Sequence, residues 1–423
     1  MSWSRRNFLF SAGLGATVTT LANSIHSDKT SATESVINWK NVRSYFNLDP
    51  NYIHVAGLLI ASHPLPVQNA IEQHRSALNE NPAVYVKENN PALAAAVRQA
   101  AANYMGTQPN DIAITDSTTM GTGLVINGLE IRPDQEMLIS ESDYYSTRES
   151  LRYKAARTGA TIQTISLFRD INTVSEAEIV DSLINAVRPQ TRLVTATWVH
   201  SSTGLKVPVR QIADRLAEIN SSRGESDRII FFVDGVHGFG VENITMNDLN
   251  CDFFSAGTHK WMFAPRGTGI IWGNPRSQAA VTPTIPSFSR GAGWGGLMSP
   301  GGYKPFEHLW AMAQAFEFHQ QLGKAQITAH IYQLSQQLKA GLAKMSHVIL
   351  YTPISQNLSA GIVCFDIDGM TPAQVVEQLQ QRNIIATKTP YSPSHARLTP
   401  GIYNTPEQME QVLKAISELK TAV

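Results

Sequence analysis

The chain has 423 residues, 43% of them apolar and 16% charged, which is long enough and apolar enough for a large core and excludes a disordered tract. Its 34 basic residues balance 34 acidic ones, so the charge gives no case for nucleic acid as a partner. Two cysteines, Cys251 and Cys364, are too few for a disulfide framework or a thiolate metal site, and leave open only a single bridge between them.

At the amino terminus, Ser4-Arg5-Arg6-Asn7-Phe8-Leu9 precedes a weakly apolar stretch, SAGLGATVTTLANS. Paired arginines before a modest apolar run that ends in small residues resemble a twin-arginine (Tat) export signal. The resemblance implies a bacterial, periplasmic protein that meets the Tat translocon already folded. The signal is expected over residues 1–24, with cleavage near Ala22 or Ser24, and residues 25–45 read as a polar leader. No other run of about 18 uninterrupted apolar residues occurs, so no membrane span is expected in the mature form.

From Asn51 the chain reads as a short strand and loop leading into a helix over 67–81. Apolar spacing gives a second helix over 91–107, closed by Gly106. Strands follow at 112–115, 135–140, 159–165, 192–199 and 228–233, with helices at 146–158 and 208–221. Such alternation predicts an α/β fold around a doubly wound, mostly parallel sheet. The Gly-, Ser- and Pro-rich stretch 281–304 reads as an irregular loop, and helical periodicity resumes at 306–322 and 326–345. The tail is a strand (359–366), a helix (371–382), a strand (383–388) and a helix from Pro406. A large lobe is thus expected over 46–325 and a small α+β lobe over 326–423.

The chemistry is concentrated in VDGVHGFG and the stretch from Asp234 to Lys260, 26 positions later. Asp234 closes an apolar run, Ile229-Ile230-Phe231-Phe232-Val233, and Lys260 stands in a Thr258-His259-Lys260-Trp261 context before a Gly-rich turn. A buried carboxylate at a strand end can keep a pyridine nitrogen protonated, and a lysine can form a Schiff base with an aldehyde and shuttle protons. The joint pattern resembles the class V aminotransferase family of pyridoxal 5'-phosphate (PLP) enzymes, in its isopenicillin N epimerase-like branch.

The resemblance implies the fold-type I PLP-dependent transferase architecture and a homodimer. It also assigns roles. Lys260 carries the cofactor and Asp234 faces its ring nitrogen. Thr118 and Thr119, in a strand-to-helix turn, meet the phosphate, joined by Thr258 and His259. Tyr144, or Tyr145 if the alignment slips by one, stacks on the ring, and His237 and Ser201 approach the phenolic oxygen. Arg397, ahead of Tyr403-Asn404-Thr405, grips a substrate carboxylate with a fork that lysine lacks. Gly301-Gly302-Tyr303 stands where relatives carry a Gly-Thr pair that reaches the partner's phosphate. No cysteine occupies the desulfurase position some fifteen residues before the arginine, where Arg382 and its neighbours lie. The expected function is therefore PLP chemistry on an amino acid, or on an amino group of a larger molecule, by transamination, epimerisation or elimination. The alternatives are a cofactor-free binding protein on the same fold, and a phosphate-ligand enzyme without Schiff-base chemistry.

Overall fold

A computed structural model of the chain describes residues 39–289, 291 and 293–419, so the export signal and most of the polar leader lie outside the described residues. The leader's last turn, Trp39–Tyr45, is a 3-10 helix. It packs against the body because Val42 and Phe46 bury there, and the Arg43 guanidinium donates to the carbonyls of Phe46 and Leu48 at 2.7 and 2.9 Å.

The short strand β1 (Ile53–His54) is followed by helices α1 (Leu65–Glu80) and α2 (Pro82–Met105). Alternation then runs through β2 (Ile112–Thr115), α3 (Thr118–Gly128), β3 (Glu136–Ser140), α4 (Tyr145–Thr158), β4 (Thr161–Ile165) and α5 (Glu176–Ala186). It continues with β5 (Thr191–Thr197), α6 (Val209–Asn220), β6 (Ile230–Asp234), the single turn α7 (Met246–Leu249), and the hairpin β7 (Phe253–Gly257) and β8 (Gly269–Gly273). Next come α8 (Gly293–Met298), α9 (Phe306–Leu322), α10 (Lys324–Leu342), β9 (Val348–Leu350) and β10 (Val363–Ile367). The chain closes with α11 (Pro372–Gln380), β11 (Ile384–Ile385), β12 (Thr387–Lys388), β13 (Ala396–Leu398) and α12 (Pro406–Ser417).

Seven strands form the main sheet in the order β2-β8-β7-β6-β5-β3-β4. Only β8 runs against the others, pairing antiparallel with both β2 and β7. The central strands β3, β5 and β6 are buried along their whole length, and β6 accordingly reads as a continuous apolar run, Ile230-Phe231-Phe232-Val233, ahead of Asp234. A second, four-stranded sheet, β12-β13-β10-β9, carries Arg397 on β13.

Several elements differ from the sequence expectation. Helix α2 begins at Pro82, runs through an interior proline, Pro91, and has α9 packed along it. Helix α5 was not expected, and the loop at 281–304 contains the short α8. Strand β1 pairs in parallel with β11, Ile53 opposite Ile384, so the start of the expected large lobe is tied to the tail of the chain.

Candidate active site

Ligand sites in open α/β sheets lie at the carboxyl ends of the strands. Here that edge opens into a cavity of about 730 Å³, lined among others by Leu58, Leu59, Ser117, Thr118, Thr119, Tyr144, Thr197, Ser201, Asp234, His237, His259, Lys260 and Arg397. Residues more than 330 positions apart meet there.

Asp234 is the last residue of β6, held in register between Thr197 of β5 and Ser255 of β7. Its carboxyl is 1% exposed and accepts one backbone N–H, from Val236 at 3.2 Å. Burial pushes its pKa up to about 6, and the nearby Lys260 ammonium only partly offsets that. The Gly235 backbone follows so closely on β7 that a Cβ there would lie 1.8 Å from the Phe254 ring, which accounts for glycine after the aspartate.

Lys260 is presented by the β7–β8 connection. Burial brings its pKa down to about 8, against the raising effect of Asp234. Trp261, next in the chain, turns its Nε1–H onto His237 Nδ1 at 3.3 Å. An indole only donates, so His237 Nδ1 is the acceptor and its ring proton sits on Nε2. Burial holds this imidazole neutral, well below the usual histidine range.

At the opposite end, α3 begins at Thr118, its first turn capped by the Ser117 hydroxyl, which accepts from Met120 N at 3.1 Å. The opening N–H groups of such a helix have no intrahelical partner and suit an anion. The helix comes in close: a Cβ on Gly121 would lie 2.1 Å from Ser255 Oγ. The Thr118 hydroxyl accepts Gly257 N at 2.7 Å and keeps its own proton to donate. His259 binds the Thr268 carbonyl through Nδ1 at 3.3 Å, leaving Nε2 as its second ring nitrogen.

Tyr144 lines the cavity, whereas Tyr145 is 60% exposed and does not. Tyr144 N donates to Thr197 Oγ1 at 3.2 Å, and Thr197 N donates to the buried Asp143 at 2.8 Å, so the aromatic turn is fixed to β5. Thr258 stays out of the lining. Its fully buried hydroxyl lies 2.6 Å from Thr268 Oγ1, and its N–H binds the Thr268 carbonyl, because antiparallel pairing turns this side chain across the hairpin that carries Lys260. His200 is enclosed 3.7 Å from Asp143 and likewise does not reach the cavity.

Arg397 is 4% exposed and donates to three neutral oxygens: Ser201 O at 2.8 Å, Thr387 Oγ1 at 3.1 Å and Lys388 O at 3.5 Å. No carboxylate of the described residues pairs with it, so a cavity-lining cation is left without its counter-ion. Tyr391, which the sequence did not single out, lies 2.8 Å from the Ser201 hydroxyl. Leu58 and Leu59, from the opposite end of the chain, also went unnoticed, since no local pattern marks them.

These groups fit PLP. The helix end and its hydroxyls suit a phosphate, Asp234 a protonated ring nitrogen, Lys260 an aldehyde and His237 Nε2–H a phenolic oxygen. Fold and cavity together define a fold-type I PLP-dependent enzyme.

The chain belongs to the class-V aminotransferase family, which matches residues 61–411. Isopenicillin N epimerase of Streptomyces clavuligerus is 28% identical over 409 residues, spanning 91% of this chain and 99% of that one. A probable cysteine desulfurase of Vibrio cholerae is 23% identical over 68% of this chain and 71% of its own length. Among solved structures, a C-DES mutant with glycine covalently linked to its PLP cofactor superposes with a TM-score of 0.82 at 22% identity, covering 89% of this chain and 99% of that one. The apo cysteine desulfurase of Thermococcus onnurineus gives 0.75 at 18% identity, covering 90% and 97%. The cofactor is PLP.

Proposed function

We propose that this enzyme removes and returns a proton at the carbon bearing a substrate's amino group, with Arg397 gripping a carboxylate on that carbon. The observation that carries the reading is the convergence of Lys260, Asp234 and an unneutralised Arg397 on one cavity. Bound PLP supplies an electron-accepting ring beside the reacting carbon. Asp234 would hold a proton on the ring nitrogen, His237 would offer its Nε2 proton, and Thr118 and Thr119 would anchor the phosphate, with His259 in the wall beside them. Tyr144 would cover the ring. Lys260 would supply the amine for the cofactor's aldehyde and the base that moves the substrate proton, a role its lowered pKa favours.

Epimerisation is the favoured outcome, since relatives named for it align over at least 90% of this chain. Desulfuration through an enzyme persulfide is disfavoured. Cys364 is sealed in β10 with its thiol pushed up to about 12 by burial, Cys251 is buried too, and neither lines the cavity. The general test is incubation in deuterated water with amino acids and amino-terminal peptides, following deuterium at the α-carbon and its configuration. Absence of exchange with every one of them would overturn the reading.

Arg397→Lys separates an amino-acid substrate from other amines. Loss of a bidentate, partly desolvated contact should weaken KM for carboxylate substrates roughly ten- to hundredfold while the resting spectrum stays constant. An unchanged KM would point instead to an amino group within a larger molecule.

The enzyme is further proposed to act as a homodimer in the periplasm, after Tat export directed by Arg5 and Arg6. Replacing both with lysine should leave active, unprocessed enzyme in the cytoplasm, as immunoblots of cell fractions would reveal. Processed protein in the periplasmic fraction of that variant would refute the folded-cargo route.

A further inference from the structure

We infer that Trp261 is a positioning residue for the chemistry: its indole N–H fixes the proton of His237 on the ring nitrogen that faces the cofactor. The inference rests on the proposed role of His237 as donor to the phenolic oxygen, and it adds the group that keeps this donor in place.

Trp261 itself does not line the cavity, so it acts on the site only through a neighbour. It is buried, and it packs in a cluster with Val199, Val241, Ile331 and Ile362. In that apolar surrounding the indole N–H has one partner among the described residues, His237 Nδ1 at 3.3 Å. The seat leaves the indole little room to move. A Cβ on Gly361 would lie 3.0 Å from its Cη2, and a Cβ on Gly240 would lie 2.8 Å from the Trp261 carbonyl carbon. Backbone at one end and ring tip at the other thus set where the N–H points.

His237 is buried and lines the cavity, and among the described residues its ring makes no other hydrogen bond. An imidazole has two neutral tautomers, and an indole N–H is satisfied only by the one whose Nδ1 is bare. The same contact excludes the imidazolium, whose Nδ1–H would meet the indole N–H donor to donor. The charged groups of the cavity act in the same sense. Burial holds the imidazole neutral, and the Lys260 ammonium and Arg397 guanidinium add to that effect. Asp234, the carboxyl in the same lining, is itself pushed up to about 6 by burial. The Nε2–H therefore remains as the one ring proton, and a donor is what a phenolic oxygen calls for. His237→Gln is the informative comparison, because an amide keeps an N–H donor and has no tautomer to choose.

The test has two arms. In the first, wild-type chain with isotopically labelled histidine is followed by nitrogen NMR, with and without PLP, and His237→Gln identifies the His237 signals. They should report a bare Nδ1 and a protonated Nε2 in both forms. The second arm follows the pH midpoint of the visible band of the holoenzyme in Trp261→Phe, His237→Gln and the double variant. A donor at the phenolic oxygen draws off density that holds the neighbouring Schiff-base proton, so weakening that donor should raise the midpoint. Trp261→Phe keeps an aromatic ring and removes the N–H, and should raise it by about half a unit to one unit. In the His237→Gln background the same change should move the midpoint little, since no tautomer remains to be lost. The inference fails if wild-type His237 carries its proton on Nδ1. It fails equally if Trp261→Phe leaves the midpoint where it was, or shifts it by the same amount in both backgrounds, the mark of packing alone. The first arm needs no Trp261 variant and so decides even if that variant does not fold. Failure of the proton-transfer reading would show as absent deuterium exchange and would leave the tautomer of the cofactor-free chain untouched.

Discussion

Lys260→Ala is expected to give a folded protein with no visible absorption band and no turnover. The wild-type amine is asked to anchor the cofactor and to move the substrate proton, and among the described residues no second lysine lines the cavity. Loss of a positioned proton-transfer group alone costs about 10²–10⁴-fold, and here the anchor goes with it. The fold should tolerate the change, because truncation removes a cation that burial already disfavours. Borohydride reduction of the holoenzyme followed by peptide mapping should place the adduct on Lys260. An adduct on another lysine in the variant would sink the assignment. The pKa near 8 also sets a pH dependence: cofactor capture by apoenzyme should quicken as pH rises through that value, since only the neutral amine reacts.

Asp234→Asn should retain part of the cofactor and lose proton exchange by several orders of magnitude. The amide preserves the shape of a side chain fixed between β5 and β7, so packing is not the variable. What disappears is the negative charge that would hold the ring nitrogen protonated. The neighbouring acid, Asp143, accepts from Thr195 Oγ1 and Thr197 N and does not line the cavity, so it is not placed to take over the role. Solvent-deuterium incorporation at the α-carbon, measured beside cofactor content, tests the point. Exchange at the wild-type rate in a cofactor-loaded variant would contradict it.

Much of this architecture could be read from the chain because its signals are local. Asp234, His237 and Lys260 fall within one apolar run and one hairpin, and Thr118 and Thr119 stand at a strand-to-helix turn whose N-cap is adjacent. What escaped the reading depends on contacts distant in sequence. Leu58 and Leu59 reach the cavity on a loop tied to Thr399 and His259, and Tyr391 meets Ser201, 190 positions away, and the Tyr144 ring. The ambiguity between Tyr144 and Tyr145 is geometric: the helix start turns one ring inward and leaves the other at the surface. Thr258 shows the converse, where a motif residue beside the lysine is spent on closing the loop.

The cavity wall is drawn from two sheets, Asp234 from the seven-stranded one and Arg397 from the four-stranded one. A molecule lodged between them acts as a mortise pin, so retention of the ligand and cohesion of the two sheets are a single equilibrium. At a hundredfold excess over its dissociation constant, such a pin adds about 2.7 kcal/mol to the folded state. Resistance to heat and to proteases therefore becomes a gauge of loading, readable without knowing what the enzyme converts.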